Sequence, residues 1–191
     1  MTDIEKKRHS LAHLLAAATL KLYPDTKLTL GPAIDNGFYY DMEFVDPIND
    51  ADLKTIQKTM KKMANSWKEF SGKKVSTDEA RQVFAGNPYK LELIDDIESK
   101  GEDITLYTSG EFTDLCRGGH VDDFSSINLD AFTLDRVAGA YWRGDENNTM
   151  LTRVYGLAFD TKEELDQYLA QREAAKERDH RKIGKELGLF T

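Results

Sequence analysis

Cysteine is almost absent from this sequence, which has one thiol, Cys116, among 191 residues. A single cysteine excludes a disulfide within the chain and is typical of a reducing compartment, so we expect a cytoplasmic protein. Long apolar runs are also absent, since none approaches the ~18 residues that span a bilayer. The start of the chain, MTDIEKKRHS, lacks the apolar stretch of a signal peptide. These absences argue against a membrane protein and against a secreted protein.

An excess of positive charge is lacking as well. The chain has 26 Lys and Arg residues against 34 Asp and Glu residues, which gives a net charge of −8. Proteins that coat nucleic acids are normally basic, so a general coating function is disfavoured. Basic residues nevertheless crowd two segments, 54–74 and 172–185. Each segment is as consistent with a solvated helix face as with a surface that contacts phosphates.

The order of predicted elements mixes helices with strands. Hydrophobic periodicity and capping residues indicate helices over 3–23, from residue 50 onward, over 76–84 and from residue 161 onward. Alternation and turn residues indicate strands at 28–32, 38–44, 104–108, 131–137 and 150–159, with a tight turn at 35–37. Because no βαβ rhythm is present, we predict an α+β fold in which helices pack on an antiparallel sheet.

One segment, 87–97, allows two predictions. Asn87 and Pro88 match the cap and the first position of a helix. Tyr89, Leu91 and Leu93 alternate as they would in a strand. The residues alone leave both predictions open.

Histidine is scarce too, and three of the four histidines join the cysteine in two short signatures. His9 and His13 are four residues apart in the first predicted helix, so both project from one face. Cys116 and His120 have the same spacing, and the two glycines between them allow a sharp turn. Either pair alone is weak evidence. Together they offer four nitrogen and sulfur ligands, as a tetrahedral zinc site does.

The same residues also permit ester hydrolysis without a metal. Imidazoles around a small pocket can position and activate a water molecule. Lys90 could stabilise an oxyanion or a leaving group, although an exposed helical lysine is the alternative interpretation. Asp114, two residues before Cys116, could orient one of the imidazoles.

Five stretches of the chain together resemble a known family. They are Arg8–His13, Gly31–Asp41, Asp114–His120, Gly139–Asp145 and Arg178–Lys185. In residues and in order they resemble bacterial threonyl-tRNA synthetases, in the N-terminal editing domain that is related to the editing domain of alanyl-tRNA synthetases. The likeness extends over almost the whole chain. One position departs from the family pattern, because Gly119 stands where proline is usual, and this should loosen the loop that holds His120.

The resemblance implies an aminoacyl-tRNA deacylase that hydrolyses serine mischarged onto threonine tRNA, inside an ATP-dependent enzyme that ligates threonine to that tRNA. By motif position it implies the catalytic residues His9, His13, Lys90, Asp114, Cys116 and His120, with Gly31, Tyr40 and Leu115 against the substrate. It also implies a site that works with water and side chains and without a cofactor. The spacing keeps a second hypothesis open, in which zinc is bound by His9, His13, Cys116 and His120.

The resemblance also divides the chain. Residues 1–160 correspond to the editing domain, and residues 161–191 to a helical connection toward a class II catalytic domain and an anticodon-binding domain. The apolar tail at 187–190 has no helix stop, so we expect a further domain to follow. The alternative to an enzyme is a non-catalytic tRNA-binding module with a structural Cys/His cluster. A generic zinc hydrolase is disfavoured, since the sequence has no helical His-Glu-x-x-His motif.

Overall fold

A computed structural model describes residues 1–188 of the chain. Its helices are α1 (Asp3–Leu22), α2 (Leu53–Ala64), α3 (Thr77–Val83), α4 (Pro88–Ser99) and α5 (Lys162–Glu186). Its strands are β1 (Lys27–Leu28), β2 (Ala33–Ile34), β3 (Gly37–Glu43), β4 (Ser71–Val75), β5 (Ile104–Ser109), β6 (Phe112–Leu115), β7 (Phe132–Tyr141) and β8 (Met150–Ala158). No helix among these is both long enough and apolar enough to cross a membrane.

The strands form two antiparallel sheets. The larger sheet has the order β1-β3-β8-β7, and β2 also pairs with β3. The smaller sheet has the order β4-β5-β6. Helices and strands therefore mix without parallel βαβ units, and the predicted α+β class with an antiparallel sheet is confirmed.

Helix α1 lies at the centre of the larger core. Thr2 and Glu5 form a capping box at its start, which satisfies backbone N–H groups of the first turn. From Ser10 to Thr19 every residue is buried, because small and apolar side chains surround the middle of the helix on all sides. These residues pack with β3 on one side and with α2 on the other. The segment that carries the second histidine is thus part of the core.

The predicted turn before β3 is a two-residue hairpin. Asn36 has a φ of +66°, a left-handed conformation that asparagine tolerates better than most residues. Gly37 lies so close to β8 that an added Cβ would be 1.9 Å from the carbonyl oxygen of Gly156. The strand predicted at 28–32 is shorter than expected, since β1 ends at Leu28. Single backbone hydrogen bonds still join Thr29, Leu30 and Pro32 to β3 beyond that point.

The ambiguous segment after Asn87 is a helix, and the strand alternative is wrong. The Asn87 side chain accepts hydrogen bonds from the backbone N–H groups of Tyr89 and Lys90, and Pro88 occupies the first turn. Ser76 and Thr161 likewise accept from the backbone N–H of the third residue of α3 and of α5, as expected of the capping residues predicted at 76 and 161. Residues 189–191, the end of the predicted apolar tail, lie outside the described residues.

Candidate active site

A cleft of about 760 Å³ opens between α1, α4, the segment 29–33, the middle of β3 and strand β6. Eight of the nine residues predicted for the site line it, and they are His9, His13, Gly31, Tyr40, Lys90, Asp114, Leu115 and Cys116. They come from four separate parts of the chain, and the antiparallel pairing brings them together. His120 does not line the cleft.

The two signatures meet at the cysteine. The Cys116 Sγ atom lies 3.6 Å from His9 Nε2 and 3.3 Å from His120 Nε2. His13 lies one turn along α1 from His9, and the ring centroids of these two histidines are 4.9 Å apart. One ligand-type atom from each of the four residues can be chosen so that all lie within 4.8 Å of one another. The sequence spacing therefore does correspond to a single cluster.

The loop that carries Cys116 depends on its glycines. Gly118 and Gly119 have φ values of +99° and +87°, in the left-handed region. The Gly118 N–H donates to Cys116 Sγ at 3.2 Å, and the Gly119 carbonyl oxygen lies 3.3 Å from His9 Nδ1. Proline holds φ near −65°, so it could not adopt this conformation at position 119. The Gly-for-Pro departure thus coincides with a loop path that proline would exclude.

His120 lies behind His9 and away from the cleft. Its ring stacks between that of His9, with centroids 4.3 Å apart, and that of Phe70, with centroids 3.9 Å apart. Its Nδ1 atom is 3.4 Å from the Ser10 hydroxyl, which also accepts from the backbone N–H of Val121. His120 is therefore held between His9 and Phe70 and contacts the cleft residues from behind. The sequence did not predict that Phe70 and Ser10 contact the site. The only indication was that Ser10 follows His9 within one of the five motifs.

A buried ion pair forms the floor of the cleft. Lys90 Nζ lies 2.6 Å from Asp114 Oδ1, and the two side chains are 1% and 3% exposed. The ammonium group also donates to the Thr29 carbonyl oxygen at 2.6 Å and to the Tyr40 hydroxyl at 3.1 Å. The Tyr40 hydroxyl donates to Asp114 Oδ2 at 2.7 Å. Lys90 is thus fully buried with three partners for its three N–H groups, and the exposed-lysine interpretation is wrong.

Two further predicted residues complete this floor. Gly31 lies directly against the ring of Tyr40, where an added Cβ would be 2.1 Å from a ring carbon, so only glycine fits. The Leu115 backbone N–H donates to Asp114 Oδ1 at 2.8 Å. The Asp114 carboxylate also lies near α1, with Oδ2 3.6 Å from His13 Nδ1. Among the described residues, that nitrogen has no hydrogen-bond partner.

Burial keeps the groups of the cluster uncharged. It lowers the pKa of His9, it lowers that of His13 well below the usual value, and it lowers that of His120 to about 2. Repulsion from His9 and from Lys90 acts in the same direction on His13. Burial also raises the pKa of the Cys116 thiol to about 11. At neutral pH the cluster therefore consists of neutral imidazoles, which can accept protons, and a protonated thiol.

The four residues of the cluster fit zinc in kind and number. Their imidazoles are already neutral, as ligands must be, and binding would displace the proton of Cys116. If all four bound a zinc ion, no coordination position would remain for a water molecule. Such an ion would fix the Cys116 loop to α1 and would serve a structural purpose.

Comparison with known proteins gives two findings. Residues 104–155 match the family described as the threonyl and alanyl tRNA synthetase second additional domain. The chain is 52% identical over 184 residues to the threonine–tRNA ligase of Rubrobacter xylanophilus, covering 96% of this chain and 28% of that protein. It is 52% identical over 189 residues to that of Francisella philomiragia and 52% identical over 188 residues to that of Staphylococcus aureus.

These matches cover 98% of this chain in both cases and 29% of each relative, so the chain spans less than a third of the length of the relatives. The matched segment contains Asp114, Leu115, Cys116 and His120, while the pairwise similarity also includes α1 with His9 and His13. The resemblance indicated by the five motifs is therefore confirmed: the chain is similar over almost its whole length to a stretch of threonine–tRNA ligases that carries their second additional domain.

Proposed function

We propose that the cleft hydrolyses the ester bond between serine and threonine tRNA, as the editing site of an enzyme that ligates threonine to that tRNA with ATP. The observation that supports this proposal is the convergence of His9, His13, Lys90, Asp114 and Cys116 on one cleft. Burial keeps the imidazoles neutral and therefore able to accept a proton at pH 7, and the Asp114 carboxylate 3.6 Å from His13 would stabilise the imidazolium that forms.

His13 is the proposed general base. A proton on its Nδ1 atom would face the Asp114 carboxylate, 3.6 Å away, and would leave Nε2 free to accept a proton from the attacking water. The water oxygen then forms a bond to the ester carbonyl carbon, the bond to the ribose oxygen breaks, and the proton passes to that oxygen. His9 has both ring nitrogens beside other groups, Gly119 and Cys116, and so positions the water and the thiol.

A second site is needed because serine differs from threonine by a missing methyl group. A pocket gains only about 1–3 kcal/mol of discrimination from such a difference, so a ligase site alone would admit serine. A cleft that accepts serine and excludes the methyl group of threonine would complete the selection. Gly31 packs directly against the Tyr40 ring, so this side of the cleft cannot move back to admit a larger side chain.

The first test compares the two esters. We expect the 191-residue chain to release serine from seryl-tRNA and to leave threonyl-tRNA intact, because the proposed selection excludes the methyl group of threonine. The measurement is the loss of labelled amino acid from threonine tRNA charged with serine or with threonine, with uncatalysed hydrolysis as the baseline. Equal release of both amino acids would contradict the proposed selectivity. Binding of tRNA without any release would favour the non-catalytic tRNA-binding module.

The second test concerns the metal. We expect hydrolysis to proceed without zinc, because binding all four residues would occupy the imidazoles that the proposed mechanism uses. The measurement is metal analysis of protein purified without added zinc or chelator, together with serine release in excess chelator. Unchanged release is the expected result. Stoichiometric zinc with activity that disappears on chelation would show instead that the ion is required.

The length of the relatives supports two further proposals about how the chain is organised. We infer that residues 1–160 form the editing domain and that residues 161–191 connect it to a class II catalytic domain and an anticodon-binding domain. The support is that α5 has only Leu165 and Gly184 buried among its described residues, so most of its surface is available for contacts outside this chain. A cytoplasmic location is consistent with this role.

A further inference from the structure

The larger sheet has two different faces. Phe38 and Tyr40 of β3 and Val154 of β8 belong to the core that includes α1 and α2. On each strand, the side chains next to these core residues point to the opposite face of the sheet, since successive side chains of a strand alternate. This second face, called here the outer face, carries Tyr39 of β3, Arg153 and Tyr155 of β8, and Arg136 of β7.

Register places three of these side chains side by side, and Arg153 lies two residues before Tyr155 on β8. Tyr39 pairs with Tyr155, and Tyr155 pairs with Arg136 across β3, β8 and β7. Arg136 faces outward because a register shift lies between Leu134 and Arg136, where one extra residue restores it to the row of Tyr155. The row is therefore continuous over three strands, or about 10 Å at the usual strand spacing.

The row consists of rings and guanidinium groups in contact. The central guanidinium carbon of Arg153 lies 3.9 Å from the ring centroid of Tyr39, and that of Arg136 lies 4.0 Å from the ring centroid of Tyr155. The two tyrosine rings are 5.8 Å apart. Tyr39 and Tyr155 are partly exposed and Arg136 is exposed. Flat aromatic and guanidinium surfaces of this kind stack with nucleobases.

The charge of the row is concentrated at Arg136. Arg153 makes a bidentate ion pair with Asp41, at 2.7 and 2.9 Å, so its charge is neutralised. Asp135, beside Arg136 in sequence, is held by Arg172 in the same way. Within residues 1–188 no carboxylate pairs with Arg136. A guanidinium group without a carboxylate partner is available to a phosphate.

We propose that the outer face binds the unpaired nucleotides that precede the aminoacylated end of the tRNA, with bases stacked along the row and a phosphate at Arg136. This inference rests on the proposed function, because it extends the same substrate beyond the cleft. Tyr39 supplies the link, since it lines the cleft and also begins the row. A length of about 10 Å accommodates two or three bases stacked at about 3.4 Å each.

The test uses two substrates that differ only in their length of RNA. Seryl-adenosine reaches the cleft alone, whereas seryl-tRNA also reaches the row. For the variants R136Q and Y155L we expect kcat/KM with seryl-tRNA to fall about tenfold, as for the loss of one stacked base, and kcat/KM with seryl-adenosine to stay unchanged. K21Q, which removes one exposed positive charge at the end of α1, is the matched control and should leave both values unchanged.

The outcomes separate this proposal from the proposed function. Equal losses on both substrates, or no loss on seryl-tRNA, would overturn binding at the outer face. If the parent chain hydrolyses neither ester, the proposed function fails, and titration with an unpaired RNA hexanucleotide then tests the face directly. Chemical-shift changes at Tyr155 that disappear in R136Q support the proposal. Chemical-shift changes at Tyr155 that persist in R136Q would overturn it, because the RNA would then bind without the row.

Discussion

Replacing His13 by alanine is expected to reduce serine release by about 10²-fold or more, the usual contribution of general acid–base catalysis. His13 is the buried imidazole that faces the Asp114 carboxylate, and burial keeps it neutral at pH 7. The measurement is kcat with seryl-adenosine, which limits the effect to the cleft. Replacing His9 by alanine should give a loss of similar size, because His9 lies against the thiol and beside His13.

A matched control for these variants is present in the chain. His180 is the fourth histidine and lies exposed on α5, away from the cleft lining. H180A should retain the parent kcat with seryl-adenosine. Because His13 is in the core, each variant is first checked for a cooperative thermal transition, and the less disruptive H9Q tests the cluster if H13A does not fold. A folded H9A/H13A variant with full activity would refute the proposed mechanism.

The second large effect is on stability. Replacing Lys90 by methionine is expected to lower the free energy of unfolding by about 3–5 kcal/mol, because Asp114 would remain buried without its cationic partner. Both side chains are almost completely excluded from water. The measurement is urea unfolding at neutral pH. For comparison, K73M removes an ion pair with Glu79 whose side chains are 71% and 46% exposed, and it should change stability by at most about 1 kcal/mol.

A double variant distinguishes the missing partner from lost packing. K90M/D114L replaces both charges by apolar groups of similar size, and such replacements of buried pairs are often neutral or stabilising. We therefore expect the double variant to be more stable than K90M alone, although it should lose activity with Asp114. If K90M/D114L is less stable than K90M by the cost of D114L alone, the two residues do not act as a pair.

The burial of Lys90 could not be predicted from sequence, and the reason is physical. Its acceptors Thr29 and Tyr40 are 61 and 50 residues away along the chain. Helical periodicity indicates which face of α4 is apolar, but it gives no reason to expect a buried lysine on that face. Only the tertiary contacts satisfy its three N–H groups. The positions of His9 and His13 were predictable because an α-helix fixes their spacing locally.

Other features that the sequence did not predict also depend on contacts between distant parts of the chain. Strand β4 was not predicted, since four of its five residues are exposed and no alternating apolar pattern is present. It exists because β5 offers a partner for its backbone groups. Phe70 is a similar case, because its importance comes from stacking on His120 across the fold. The antiparallel class and the long helices were predictable, since their periodicity is local.

Helix α1, buried on all sides from Ser10 to Thr19, has a consequence for how the site is lost. Segments with few buried contacts open locally at little cost, whereas core helices open only with the whole domain. Because His13 belongs to such a helix, its geometry is retained until the domain unfolds cooperatively. If His13 is the general base proposed above, serine release by a population of molecules should therefore decline in parallel with the folded fraction and not before it.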